Sequence, residues 1–152
     1  MFSTWSVGSA WSFVAMLMFA MGDVESNGNA DAIGEGGRAV GCLQITPERL
    51  DEVNRISGAG YTLQDRYDPD KSREICAAYL GYHGMQYQMK TGNEPTLEVY
   101  ARIWKGGPKG YEKPQTLKYW RKVQRAIIER NEIPCLLWGD EKHKHCSIDA
   151  GG

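Results

Sequence analysis

The 152-residue sequence has few cysteines, few phenylalanines and almost no net charge. Its four cysteines are too few for a disulfide scaffold to replace a hydrophobic core at this length. The formal net charge of −1 by itself argues against a dedicated nucleic-acid binder. Internal repeats and low-complexity linkers are also missing, so we expect one domain that buries its own core.

A long hydrophobic segment is missing as well. The main apolar run covers residues 11–21 and is too short to cross a bilayer. It resembles the central part of a signal peptide, but the first basic residue is Arg38 and no clear cleavage pattern follows the run. We interpret it as a buried core helix, with the signal peptide as the alternative, and we expect no stable membrane insertion.

Cysteine placement leaves the redox compartment undecided. Cys42 and Cys76 lie in apolar or amphipathic runs and are predicted to be small buried side chains. Cys135 and Cys146 bracket a polar tail that a disulfide could close. The spacing of His143, His145 and Cys146 fits no standard zinc site. We therefore predict a solvated tail without a metal.

Helical spacing of apolar residues predicts a mainly α protein. The first helix is expected over residues 8–25, apolar on all sides and surrounded by other helices. Two N-terminal signals, Thr46-Pro47 and Asp68-Pro69, begin the second and third helices. A fourth helix runs through residues 97–104, and a fifth covers residues 114–130. The loop over residues 26–41 is rich in glycine, and residues 40–45 form the only expected extended piece.

Glu25 is the residue with the clearest chemical signal. It ends an apolar helix and opens onto the glycine-rich loop, which would let an extended substrate approach closely. Burial and a helix C-terminus both disfavour a carboxylate, so the protonated form of Glu25 could serve as a general acid. A solvated glutamate at a helix end is the alternative interpretation.

Three segments of the sequence resemble the signatures of soluble lytic transglycosylases. The first is Glu25-Ser26 with an Asn-rich turn, followed by a segment that ends in Gln44-Ile45. The second is Trp104-Lys105-Gly106-Gly107, and the third comprises Thr116, Tyr119 and Val123. They follow the family's order and together span residues 21–125. The resemblance implies a lysozyme-like fold, with residues 1–134 as the catalytic domain and residues 135–152 as a polar C-terminal tail.

The resemblance also implies roles for individual residues. Glu25 would protonate the glycosidic oxygen between N-acetylmuramic acid and N-acetylglucosamine, then act as base on the sugar's own 6-hydroxyl. Ser26 would hold Glu25 in place, and Gln44 would line the saccharide cleft with both a donor and an acceptor. Tyr119 would hydrogen-bond near Glu25, and Trp104 would contribute to substrate binding. Neither a metal nor an organic cofactor is required.

Lys105 departs from the pattern, because the family usually has asparagine there. An ammonium has three donors and no acceptor, so it cannot reproduce the bonding of an amide. A side chain that reaches the cleft could hold an anion, and it would favour the ionised form of Glu25. Lys105 could also point to solvent. The substitution therefore keeps open a non-catalytic module that only binds glycan strands.

A hydrolytic lysozyme is a further alternative. A glycosidase of that kind needs a second carboxylate at a defined separation from the acid. Asp23 would point elsewhere from the same helix, whereas Asp31 and Glu35 on the loop could reach the cleft. The resemblance favours transglycosylation.

The charge is distributed unevenly along the chain. Residues 1–100 carry 7 Lys and Arg against 13 Asp and Glu, whereas residues 101–130 carry 9 against 2. Within that basic stretch, Lys118, Arg121, Lys122 and Arg125 have helical spacing and lie among aromatic residues. Such a face could bind nucleic acid or an acidic protein. We instead expect peptidoglycan as the anionic partner, and no nucleic acid.

The resemblance places the protein where peptidoglycan is found. We expect a monomer that acts in the bacterial cell envelope, in the periplasm or after secretion, or a phage-encoded lysin that acts on the cell wall. The host wall and the export route stay open.

Overall fold

The computed structural model describes residues 7–130, with side chains from Ser12 onward. Five helices and one small antiparallel sheet make up this part of the chain, and three short 3₁₀ turns connect them. The elements are α1 (Val7–Ser26), β1 (Ile33–Gly34), β2 (Ala39–Val40), α2 (Pro47–Ser57), α3 (Pro69–Thr91), α4 (Leu97–Gly106) and α5 (Thr116–Glu129), and the 3₁₀ turns are Glu35–Gly37, Leu63–Tyr67 and Gly110–Glu112. The predicted mainly α class is confirmed.

The predicted helix boundaries are confirmed by their caps. The Thr46 hydroxyl accepts a hydrogen bond from the Arg49 amide, and Pro47 is the first residue of α2. The Asp68 carboxylate accepts from the amides of Asp70 and Lys71 at the start of α3. Each cap satisfies backbone donors that a helix leaves unpaired in its first turn.

Helix α1 lies at the centre of the core and packs against α3, α4 and α5. Leu17, Ala20 and Met21 have no exposed surface. The prediction that α1 is enclosed on all sides is wrong at Phe13 and Phe19, which are 40% and 43% exposed. Phe19 is instead flanked by the guanidinium groups of Arg73 and Arg130, which lie 4.7 and 5.7 Å from its ring centre.

The glycine-rich segment forms a hairpin. Extended structure was predicted for residues 40–45 only, but it also includes residues 33–34 and 39. Ile33 pairs with Val40 and Gly34 with Ala39 in antiparallel register, and Val40 also bridges to Ile45. Gly41 has a φ of 80°, a left-handed conformation that favours glycine. The tight turn over residues 41–44 therefore depends on backbone geometry that hydropathy patterns do not show.

A buried arginine ties this hairpin to the rest of the domain. Arg66 is 7% exposed and donates hydrogen bonds of 3.0 Å to the carbonyls of Leu63, Arg38 and Ile45. Arg38 and Ile45 flank the second strand of the hairpin, so this one side chain joins the hairpin to the 3₁₀ turn over Leu63–Tyr67.

Both inner cysteines are buried free thiols, as predicted. Burial raises the pKa of Cys42 and of Cys76, which keeps these thiols protonated and unreactive. The predicted polar tail, with Cys135, Cys146 and the nearby histidines, lies outside the described residues. Within residues 7–130, no helix is long and apolar enough to cross a membrane.

Gly41→Ala should destabilise the protein strongly. A Cβ atom at this position would lie 1.9 Å from the carbonyl oxygen of Arg66, and the left-handed φ adds strain. We expect a loss of at least about 3 kcal/mol in the free energy of unfolding, measured by chemical denaturation.

Gly36→Ala is the matched control for this prediction. Gly36 also has a left-handed φ, 66°, but a Cβ there meets no atom within 4 Å. We expect a loss of only about 1 kcal/mol. Equal losses in the two variants would show that the contact with Arg66 is unimportant.

Candidate active site

One cleft of about 690 Å³ opens at the C-terminal end of α1. Its walls come from the last turns of α1 and α4, the loop over residues 107–115 and the first two turns of α5. The lining residues are Val24, Glu25, Arg49, Lys105, Gly106, Gly107, Lys113, Gln115, Thr116, Lys118, Tyr119 and Lys122. Three of the predicted site residues, Glu25, Lys105 and Tyr119, therefore meet in one cavity.

Glu25 occupies the last turn of α1, and its side chain is 11% exposed. The Ser26 hydroxyl donates to the Cys42 carbonyl at 2.8 Å, with the Gly22 carbonyl at 3.2 Å as a second acceptor. Ser26 thus anchors the end of the helix to the turn that follows β2, and it positions Glu25 through the backbone.

Asp23 points away from the cleft, as expected from its place on the helix. Its carboxylate accepts hydrogen bonds of 2.5 and 2.9 Å from the Arg130 guanidinium at the end of α5. The pair joins the first and last described helices and leaves Glu25 as the acidic residue of α1 that faces the cleft.

Lys105 reaches the cleft, so the alternative in which it points to solvent is wrong. Its ammonium nitrogen lies 3.5 and 3.4 Å from the two carboxylate oxygens of Glu25. The contact is longer than a tight charge-assisted hydrogen bond, and the Lys105 side chain is 46% exposed. The ammonium therefore faces the Glu25 carboxyl, while the lysine side chain stays partly open to solvent.

Tyr119 packs directly beside this ion pair. The Lys105 ammonium lies 5.1 Å from the centre of the Tyr119 ring. The Tyr119 hydroxyl is buried, and no hydrogen-bond partner reaches it in the described part of the chain. Burial first, and the Glu25 carboxylate second, raise the pKa of Tyr119 well above its usual range. The hydroxyl is therefore a protonated donor at neutral pH.

Trp104 lies beneath the cleft and is 1% exposed. Its ring packs edge-on against Tyr79, with 5.6 Å between ring centres, and the Arg49 guanidinium covers its face at 4.2 Å. Arg49, not Trp104, therefore presents donors to the cavity. Sequence patterns did not single out Arg49, because it follows an ordinary N-cap on an amphipathic helix.

Gln44 supports the hairpin. Its amide donates to the carbonyls of Gly41 at 2.9 Å and Ala32 at 3.3 Å. The amide oxygen lies against Gly34, where an added Cβ would come within 2.2 Å of it. Gln44 is not among the residues that line the cleft, so its predicted contact with a saccharide stays a prediction.

The loop over residues 107–115 is held by hydrogen bonds from α4. Arg102 donates to the Thr116 hydroxyl at 2.9 Å and to the Lys113 carbonyl at 3.2 Å. The one proton of the Thr116 hydroxyl in turn has two carbonyl acceptors within reach, those of Gly110 and Lys113, each at 2.8 Å. These bonds fix the outer wall and orient the start of α5.

The charges of the cleft are strongly unbalanced. Five basic side chains line it, whereas Glu25 is the only carboxylate among its lining residues. Asp31 and Glu35, the two candidates for a second carboxylate, are not part of the lining. Within residues 7–130, no group of three His, Cys, Asp or Glu side chains could hold a metal ion.

The chain also matches a known protein family. The profile of the transglycosylase SLT domain matches residues 6–101, which include α1, the hairpin and Glu25. The chain belongs to the transglycosylase SLT domain family. The match ends within α4, so Lys105 and Tyr119 lie beyond the part of this SLT domain that the profile covers.

Two curated relatives of this SLT domain are oyster lysozymes. The chain is 31% identical to a lysozyme of Ostrea edulis over 90 residues, which cover 58% of the chain and 61% of that protein. It is 45% identical to a lysozyme of Magallana gigas over 40 residues, which cover 26% of the chain and 29% of that protein. The chain thus spans less than two thirds of either relative.

Tyr119→Phe should leave the stability of the free protein almost unchanged, since the hydroxyl that it removes has no hydrogen-bond partner within residues 7–130. We expect the free energy of unfolding to stay within about 0.5 kcal/mol, or to rise. Chemical denaturation measures this difference.

Ser72→Ala provides the matched control, because it also removes one buried hydroxyl. Ser72 donates to the Arg66 carbonyl at 2.8 Å, so its loss should cost about 1–3 kcal/mol. A similar cost for Tyr119→Phe would mean that the Tyr119 hydroxyl is hydrogen-bonded in solution.

Proposed function

We propose that this protein cleaves the β-1,4 bond between N-acetylmuramic acid and N-acetylglucosamine in peptidoglycan by lytic transglycosylation. Membership in the transglycosylase SLT domain family and similarity to two lysozymes support a glycosidase that acts on this polymer. The enzyme would act on the cell wall, either in the bacterial envelope or as a phage-encoded lysin.

The observation that carries the proposal is that Glu25 is the sole carboxylate among the residues lining the cleft. A hydrolytic glycosidase uses two carboxyl groups on opposite sides of the bond. Lytic transglycosylation requires one, because the same group acts first as acid and then as base. The lining therefore favours the one-carboxylate route over hydrolysis.

The reaction proceeds in two steps at Glu25. The protonated carboxyl gives its proton to the glycosidic oxygen, and the bond from that oxygen to C1 of the muramic acid breaks. The carboxylate then removes the proton from the 6-hydroxyl of the same sugar, whose oxygen attacks C1. A 1,6-anhydro ring closes, and Glu25 is protonated again without the addition of water.

Lys105 opposes the first of these steps. The ammonium lies about 3.4 Å from Glu25 and occupies the side of the carboxyl that a general acid has to turn toward the glycosidic oxygen. Its half-exposed side chain allows it to move from Glu25 when substrate enters. The partly buried carboxyl then faces the glycosidic oxygen, with the Tyr119 hydroxyl as a nearby donor.

Mass spectrometry of digested peptidoglycan tests the reaction. We expect products with 1,6-anhydromuramic acid ends, and none from Glu25→Gln, which keeps the shape of the side chain but cannot transfer a proton. The double variant Asp31→Asn with Glu35→Gln should retain the anhydro products. Reducing ends that depend on Asp31 or Glu35 would establish a lysozyme instead.

Lys105→Asn restores the amide that is usual in the family and removes the charge beside Glu25. We expect turnover of peptidoglycan to rise about three- to tenfold at neutral pH, since the Glu25 carboxyl no longer has to exchange the Lys105 ammonium for the glycosidic oxygen. Release of anhydro products per unit time measures the change.

Lys109→Asn is the control, because Lys109 is exposed and does not line the cleft. Its turnover should match that of the natural protein. Unchanged or lower turnover in Lys105→Asn would show that the ammonium does not restrain Glu25. Activity in Lys105→Asn together with none in the natural protein would identify a glycan-binding module that has lost catalysis.

A further inference from the structure

The cleft has an unusual charge for a glycosidase. The bond cleavage proposed above passes through a transition state in which the sugar ring carries positive charge. The residues around it are themselves mainly cationic: Arg49, Lys105, Lys113, Lys118 and Lys122, against Glu25 alone. A neutral saccharide would leave that repulsion uncompensated.

Two of these cations have no function in holding the fold together. Lys118 and Lys122 are exposed and have no ion pair or hydrogen-bond partner within residues 7–130. They are four residues apart on α5, so they project from the same face about 6 Å from each other along the helix axis. Tyr119 lies between them in sequence and lines the same cavity, and its buried hydroxyl has no hydrogen-bond partner in the described part of the chain.

The remaining basic residues of α5 differ from this pair. Arg121 and Arg125 are also exposed and also four residues apart, but neither lines the cleft. The basic stretch therefore divides into two faces of one helix, and only the face of Lys118 and Lys122 borders Glu25. If the basic residues of α5 served only as a solvated surface, nothing would require one of its faces to border the cleft.

We propose that Lys118 and Lys122 form an anion subsite that binds carboxylates of the glycan strand, and that the enzyme is therefore selective for carboxylate-bearing strands over neutral ones. In peptidoglycan these carboxylates belong to the lactyl group of muramic acid or to the peptide attached to it. The identity of the strand rests on the function proposed above. Bound carboxylates would also neutralise the cleft before positive charge develops on the sugar.

Binding without turnover tests the subsite. The full chain with Glu25→Gln is titrated with three oligosaccharides of equal length, and each dissociation constant is measured by calorimetry at low salt. The first is a neutral N-acetylglucosamine oligomer, the second a peptidoglycan strand stripped of peptides, and the third a strand that keeps them. The second and third separate the lactyl carboxylate from those of the peptide.

We expect at least one carboxylate-bearing strand to bind about tenfold or more tightly than the neutral oligomer, with the difference shrinking as salt is raised. Adding Lys118→Gln and Lys122→Gln should remove most of that preference. Adding Arg121→Gln and Arg125→Gln instead should change it by less than about twofold. Thermal unfolding checks that both sets of variants are folded, which their surface positions favour.

Three results would overturn the subsite. Equal affinity for the three oligosaccharides would exclude selection by charge. An equal loss of preference in the lysine variants and in the arginine variants would exclude a specific face of α5. Tighter, salt-dependent binding of duplex DNA than of any strand would assign the face to nucleic acid. Failure of the proposed reaction can be told apart from failure of the subsite. Even if no anhydro products form, the dissociation constants can still be measured in every variant.

Discussion

Helix α1 is largely apolar and has to be shielded from water by the other helices. A helix with buried Leu17, Ala20 and Met21 must be covered, and α3, α4 and α5 pack around it for that reason. The other helices cover α1 up to its last turn. There the chain leaves the core, and Glu25 lines the cleft. The hydrogen bond from Ser26 to the Cys42 carbonyl fixes this exit. The cleft is therefore a consequence of where the core stops.

The same packing brings together charges that are far apart in the chain. Glu25 and Lys105 are 80 residues apart in sequence, yet their charged groups lie 3.4–3.5 Å from each other. Helix α5 then adds Lys118 and Lys122 to the same cavity. In the free protein the Glu25 carboxyl is paired with the Lys105 ammonium. The anionic substrate proposed above would offer that ammonium another partner, which links the proposed reaction to the proposed selectivity.

Much of the fold was predictable because local interactions determine it. The caps at Thr46 and Asp68 and the periodic apolar residues located the helices to within a few positions. The β1 strand and the turn before Gln44 were less accessible, because they depend on left-handed backbone conformations and on Arg66 reaching carbonyls of distant segments. Within the site, Glu25 was predicted from its place at the end of an apolar helix, and Lys105 and Tyr119 came from a family resemblance, whereas Arg49 gave no local signal.

Spacing, capping and hydropathy are enough to predict the helical class, the helix ends and a carboxylate at the end of an apolar helix. The burial of Trp104 beneath Arg49, the contact of Lys105 with Glu25 and the face of the basic helix that borders the cleft become visible only in the folded chain. Those facts depend on how helices pack across long separations, and no short-range pattern encodes which side of a charged helix faces a cavity.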